Sequence, residues 1–82
     1  MQDQLKNARR KVAGMKQTLK ALEKGEALAV FIARDAEEKI IRPVAELCEA
    51  KGVELHYVDT MQELGKLCGI KVNAATAAIL EL

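Results

Sequence analysis

A run of seven consecutive apolar residues, Ala27 to Ala33 (ALAVFIA), constrains the fold of this chain more than any other stretch. A strand with one wet face alternates apolar and polar residues, whereas an unbroken apolar run is typical of a strand covered on both faces. The run is also far shorter than the roughly 20 residues that span a bilayer. We therefore predict a central β-strand with helices on both sides of its sheet, and no membrane-spanning segment.

Helical patterns lie on either side of this strand. Apolar residues at spacings of three and four predict helices at about 2–10 and 15–24. Thr60 precedes Glu63 by three residues, the spacing of a capping box, in which each side chain bonds the backbone N–H of the other residue. This spacing predicts a helix over 61–68.

One more helix is expected to end at about Lys51, because Gly52 follows it as a C-terminal glycine would. Its start is open to two interpretations, since Pro43 has no backbone N–H to donate. The helix either begins near Pro43 or kinks there.

Extended segments are expected at 11–13, 53–58 and 75–82, with 53–58 forming a second core strand. Strands that alternate with helices favour layered α/β folds. The order of elements therefore predicts a three-layer α/β/α sandwich around a mixed sheet of about four strands. At 82 residues the chain is expected to form a single domain, residues 1–82.

The charge of the chain is concentrated at one end. Residues 1–24 carry seven basic and two acidic residues, a net charge of +5, whereas residues 25–82 carry a net charge of −4. This asymmetry indicates one local anionic partner, although small domains also acquire uneven charge by chance. Phe31 and Tyr57 are the only aromatic residues, so aromatic stacking on bases is not the expected mode of binding.

The residues needed for common catalytic mechanisms are scarce. The chain has no serine, and its one histidine, His56, lies in a predicted strand without a neighbouring nucleophile. Cys48 and Cys68 are far apart without metal-ligand or redox spacing, so we expect free thiols in a reducing cytoplasm. No glycine-rich phosphate loop is present. We predict a protein that is not an enzyme, with no cofactor and no metal, located in the cytoplasm.

The predicted helix 15–24 presents a basic ridge. Lys16, Lys20 and Lys24 are spaced four residues apart, with Gln17 beside them. Gly14 precedes the helix, where unpaired backbone N–H groups and the helix dipole favour an anion and where glycine has no side chain to obstruct it. Amide and ammonium groups can also read the edges of bases. The apolar residues predicted to face the core are Met15, Leu19 and Leu22.

A lysine ridge is most often only a solvated face, so a second feature is needed. Ile70 and Val72 lie in a predicted loop, in the segment GIKVNAAT, where polar residues are expected. Apolar loop residues either anchor the loop to the core or cover an apolar ligand surface such as an unstacked base.

The segments GMKQTLKALEKG, IARDA and especially LGKLCGIKVNAATAAI resemble the L7Ae/L30e ribosomal-protein family, in particular its short bacterial members. The resemblance covers essentially the whole chain in the same order. It implies an α/β/α sandwich that binds kink-turns, RNA internal loops in which tandem sheared G·A pairs adjoin a sharply bent bulge.

The resemblance also implies roles for individual residues. The segment that enters the major groove and reads the guanines of the G·A pairs matches Gly14, Lys16, Gln17 and Lys20. A supporting turn matches Arg34 and Asp35, with Asp35 expected to orient a basic side chain rather than to touch RNA. The loop that covers an extruded nucleotide and approaches the backbone matches Ile70, Lys71, Val72, Asn73 and Ala74.

The chain departs from the family pattern at two places. Many archaeal members have Asn-Glu where Lys16 and Gln17 stand, and a proline is frequent where Glu38 stands. The expected function is recognition of kink-turns in ribosomal or other structured RNA by a monomer. The alternative is a protein-interaction or scaffold module on the same fold without specific RNA recognition.

Overall fold

The computed structural model describes residues 2–82, which form four helices and a four-stranded sheet. The elements in chain order are α1 (Gln2–Asn7), β1 (Arg10–Ala13), α2 (Met15–Glu23), β2 (Ala29–Ala33), α3 (Glu38–Lys51), β3 (Glu54–Val58), α4 (Met61–Leu67) and β4 (Thr76–Glu81). No helix in this part of the chain combines the length and apolar character needed to cross a membrane.

The sheet is mixed, with strand order β1-β4-β2-β3. Strand β4 runs antiparallel to both β1 and β2, and β2 runs parallel to β3. All five residues of β2 are buried, which confirms the central strand expected from the apolar run. The predicted mixed sheet of about four strands is also confirmed.

Helices cover both faces of the sheet, because successive residues of a strand point to opposite sides. On one face Val30 and Ile32 of β2 pack with Leu22 of α2 and Val44 of α3. On the other face Phe31 packs in a cluster with Leu5 of α1, Leu64 of α4 and Cys68, which directly follows α4. The predicted three-layer α/β/α sandwich is confirmed.

Some predicted boundaries and one strand placement are wrong. The first helix ends at Asn7, not at residue 10, because Arg10 already pairs with β4. The segment predicted as a second core strand forms β3, which lies at the edge of the sheet and leaves Glu54 and Tyr57 exposed. An edge strand has only one neighbour, so it can retain polar residues that a central strand such as β2 excludes.

The observed starts of α3 and α4 can be compared with the predicted ones. Helix α3 begins at Glu38, so a start near Pro43 is wrong; the proline lies inside the helix. There Pro43 cannot donate the usual bond to the carbonyl four residues earlier. Helix α4 begins as predicted, since the backbone N–H of Glu63 donates to the Thr60 hydroxyl at 3.0 Å.

The two cysteines are free and buried in different clusters, on opposite faces of the sheet, so they cannot pair with each other within one molecule. Burial raises the pKa of the Cys48 thiol. Burial also raises the pKa of the Cys68 thiol, and Lys11 opposes this rise only in part. Both groups therefore remain protonated at neutral pH and are poor nucleophiles.

Candidate nucleic-acid interface

Most of the predicted site residues lie at one end of the sheet. The backbone N–H of Gly14, after β1, donates to the carbonyl of Thr76 at 2.8 Å, and that of Ala33, ending β2, donates to Ala75 at 2.9 Å. Because β4 is antiparallel to both β1 and β2, these bonds place the start of α2, the turn after β2 and the loop before β4 at the same end of the sheet. Gly14, Arg34 and the 70–74 loop are thus brought to one end of the sheet.

Gly14 starts α2 with a backbone that requires glycine. Its φ of 100° and ψ of 153° lie outside the regions open to residues with a Cβ, and its absent side chain provides no cap. Within residues 2–82, the next three backbone N–H groups, which belong to Met15, Lys16 and Gln17, have no acceptor. The positive end of the α2 dipole is therefore available to an anion.

The outward face of α2 carries the predicted basic ridge. The exposed side chains of Lys16, Gln17, Lys20 and Lys24 lie on this face. None of these lysines forms an ion pair with another residue of the described range, 2–82. No carboxylate of this range lies within 4.0 Å of their ammonium groups, and the side chains are exposed to solvent.

The predicted inner face of α2 is partly wrong. Leu22 is buried, but Met15 is 40% exposed, and the other two buried residues of the helix are Thr18 and Ala21. Met15 is the first residue of α2, at the end of the sheet. Leu19 is half-buried.

A buried hydroxyl pair fixes α2 to the sheet. Thr76 donates to the Thr18 hydroxyl at 3.2 Å, and both residues are fully buried. A buried hydroxyl without a partner costs about 1–3 kcal/mol, so each threonine requires the other. The apolar periodicity of the sequence did not reveal this pair, because it treats threonine as polar and hence exposed.

Arg34 and Asp35 occupy the turn after β2, as predicted, but Asp35 has a different role. The Arg34 guanidinium lies 4.8 Å from the centre of the Tyr57 ring, and its Nε is 4.0 Å from Asp59 Oδ1. Asp35 Oδ1 instead accepts the backbone N–H of Met61 at 2.9 Å. The expectation that Asp35 orients a basic side chain is therefore wrong: it caps the start of α4.

The loop before β4 presents apolar side chains to solvent. Val72 is 69% exposed and Ile70 is 37% exposed, whereas Ala74 is buried and its N–H donates to Met61 at 3.0 Å. The two interpretations concerned Ile70 and Val72; both are exposed, so neither anchors the loop to the core, and a ligand-facing surface fits Val72. Lys71 and Asn73 are exposed beside it.

Gly65, inside α4, holds this loop against the helix. A methyl group at Gly65 would overlap the carbonyl oxygen of Val72, so only glycine lets the loop backbone pack there. The backbone N–H of Ile70 also donates to the Gly65 carbonyl at 3.1 Å. Sequence reasoning missed this residue, although a glycine within a well-capped helix, where it costs about 1 kcal/mol relative to alanine, is a signal of close packing.

The assembled surface, which we call the binding edge, consists of the start of α2 with Lys16, Gln17 and Lys20, the Arg34 turn and the 70–74 loop. It combines free N–H groups, lysines and exposed apolar side chains, a combination suited to an anionic chain with an unstacked base. Within residues 2–82, no cluster of His, Cys, Asp and Glu could hold a metal ion.

Comparison with known proteins gives consistent results. An RNA-binding protein of Caldanaerobacter subterraneus subsp. tengcongensis is 52% identical over 69 residues, which is 84% of each chain. The large ribosomal subunit protein eL8 of Halobacterium salinarum is 41% identical over 68 residues, 82% of this chain and 57% of that protein. The solved structure of the Giardia lamblia 15.5kD RNA binding protein superposes with a TM-score of 0.87 at 28% identity, covering 99% of this chain and 71% of that one.

The whole chain also matches one family profile. The match spans residues 1–82 and includes every element of the binding edge. The chain belongs to the ribosomal protein L7Ae/L30e/S12e/Gadd45 family.

Proposed function

We propose that this protein is a non-enzymatic RNA-binding protein that recognises kink-turns in ribosomal or other structured RNA in the cytoplasm, as a monomer. Relatives that are named RNA-binding proteins support RNA as the ligand. The observation that carries the proposal is the convergence of the open N-terminus of α2 and the exposed Val72 loop at one end of the sheet.

In the proposed complex, the start of α2 enters the major groove at the G·A pairs. An A-form major groove is too narrow for side chains, and the kink opens it. Lys16 and Gln17 donate to guanine edges, whereas Lys20, one turn further along, neutralises a phosphate. Because Lys16 is positively charged, part of its contribution is expected to be affinity rather than discrimination.

The 70–74 loop covers an extruded nucleotide. Val72 and Ile70 pack on the base, while Lys71 and Asn73 approach the backbone. Arg34 adds a positive charge at the same end of the sheet, with its guanidinium held over Tyr57 of β3. Asp35 acts indirectly, since it caps the helix on which the loop rests.

Replacement of Lys20 tests the assignment of α2. Lys20→Ala is expected to weaken kink-turn binding and to lower the slope of log affinity against log salt by about one, because one phosphate contact is lost. Filter binding over a range of salt concentrations measures both. Lys51→Ala is the matched control: this exposed lysine ends α3, at the opposite end of the sheet, and should leave affinity and slope unchanged.

An unchanged affinity of Lys20→Ala at every salt concentration would show that α2 does not hold the RNA. Equal, weak binding of the wild-type protein to a kink-turn and to a straight duplex would instead favour the scaffold alternative.

A further inference from the structure

We propose that the protein also holds one of the RNA stems that leave the kink-turn, along a groove between α2 and the edge strand β1. This inference rests on the proposed function. The groove starts at Gln17 and Lys20, which belong to the binding edge, and continues to Lys24. Its floor is apolar and comes from Val12 of β1 and Leu80 of β4.

The direction of the groove follows from the geometry of α2. Helical positions advance by about 100° per residue at 3.6 residues per turn, so Lys20, Lys24 and Gln17 lie within about 60° of one another around the axis. Lys16 lies on the side of this arc away from the groove. The three residues therefore form one continuous edge of the groove.

Lys24 is well placed for a stem but not for the kink. It lies ten residues after Gly14, so the helical rise separates it from the start of α2 by about 15 Å. The groove edge from Gln17 to Lys24 covers about 10 Å along the helix axis, which is long enough to follow several successive phosphates of one RNA strand. The strand that passes Lys24 belongs to a flanking stem, beyond the G·A pairs.

The contacts of the neighbouring basic residues support a specific role for Lys24. Lys11 donates to the carbonyls of Leu5 and Lys6 at 3.2 and 2.8 Å, and Arg9 pairs with Glu81 at 3.7 Å. These contacts hold Lys11 and Arg9 to the end of α1 and to β4. Lys24, by contrast, forms no ion pair within residues 2–82 and projects at the groove.

The groove also contains one carboxylate, Glu26, just past the end of α2. A negative charge there repels a phosphate strand and limits the affinity of the groove. Lys24 and Glu26 are therefore expected to act on stem binding in opposite directions. Loss of the lysine should weaken stem binding, and loss of the carboxylate should strengthen it.

The test uses a series of kink-turn RNAs in which each stem in turn is lengthened one base pair at a time. Wild-type affinity should rise as one of the two stems is lengthened and then level off once that stem passes Lys24. Lys24→Ala should remove this rise, binding the long-stem RNA about three- to fivefold more weakly than wild type and the short-stem RNA equally well. Glu26→Gln should bind the long-stem RNA more tightly, and Lys51→Ala should behave as wild type.

The outcomes separate this inference from the proposed function. If wild type binds the kink-turn but stem length has no effect, the groove proposal is overturned and the proposed function stands. Equal losses on short and long RNA in Lys24→Ala would also overturn it, because a lysine that only stabilises the C-terminus of α2 behaves that way. Failure of wild type to bind any kink-turn in the series would overturn both.

Discussion

Gly65→Ala should destabilise the protein and also weaken its binding to kink-turn RNA. In an isolated helix alanine is more favourable than glycine by about 1 kcal/mol, so the helix alone predicts stabilisation. The new methyl group would overlap the Val72 carbonyl, however, and the loop must move. Overpacking costs about 1–3 kcal/mol, and the upper part of that range applies because the overlap is with backbone, so it exceeds the gain from alanine; each net kcal/mol lowers Tm by about 4–8 °C.

The effect on RNA binding follows from displacement of the 70–74 loop. Covering a base with a valine side chain is worth about 1.5 kcal/mol, so loss of the Val72 contact should weaken kink-turn affinity roughly tenfold. Calorimetry and gel-shift titration measure the two effects. Gly52→Ala is the control, because its φ of 68° makes alanine unfavourable at the far end of α3. It should lower Tm and leave RNA affinity intact; a Gly65→Ala protein as stable as wild type would contradict the packing described here.

Gly14→Ala is expected to have a comparable effect at the other half of the binding edge. A Cβ at this position meets no atom within 4 Å, so the cost comes from the backbone and not from a clash. Holding alanine at φ 100° and ψ 153° costs about 1–3 kcal/mol. Relief of that strain rotates the start of α2 and redirects its free N–H groups, so we expect at least about a tenfold loss of kink-turn affinity.

Gly25→Ala provides the comparison within the same helix. Gly25 follows the C-terminus of α2 at a φ of 72°, so alanine there costs about 1–2 kcal/mol and stands away from the binding edge. The variant should unfold more easily and bind a short-stem kink-turn RNA, which ends before Lys24, as wild type does. If both glycine variants of α2 lose the same fraction of affinity, the loss reflects stability and not the position of the helix start.

The sequence predicted those helices and strands that are determined by residues close together in the chain. The unbroken run from Ala27 to Ala33 identified the central strand because only a strand covered on both faces excludes polar residues so completely. Thr60 identified the start of α4 because a cap requires residues three apart in sequence. In both cases the determining interactions lie within, or next to, the element itself.

The features that were missed depend on contacts between distant segments. Asp35 caps a helix that begins 26 residues later, and the Thr18 and Thr76 hydroxyls that pair are 58 residues apart. The role of Gly65 likewise requires the loop backbone to lie against α4. Periodicity and spacing describe single elements, so they could place the ridge and the loop but not the packing that brings them to one edge.

Gel-shift titration against paired RNAs tests the central claim most directly. One RNA carries a standard kink-turn, and the other is identical except that its G·A pairs are changed to Watson–Crick pairs, which abolishes the bend and the open groove. The protein should bind the first RNA much more tightly, with the difference persisting at physiological salt, where non-specific binding is weak. Equal affinity for the two RNAs would contradict kink-turn recognition by this edge of the fold.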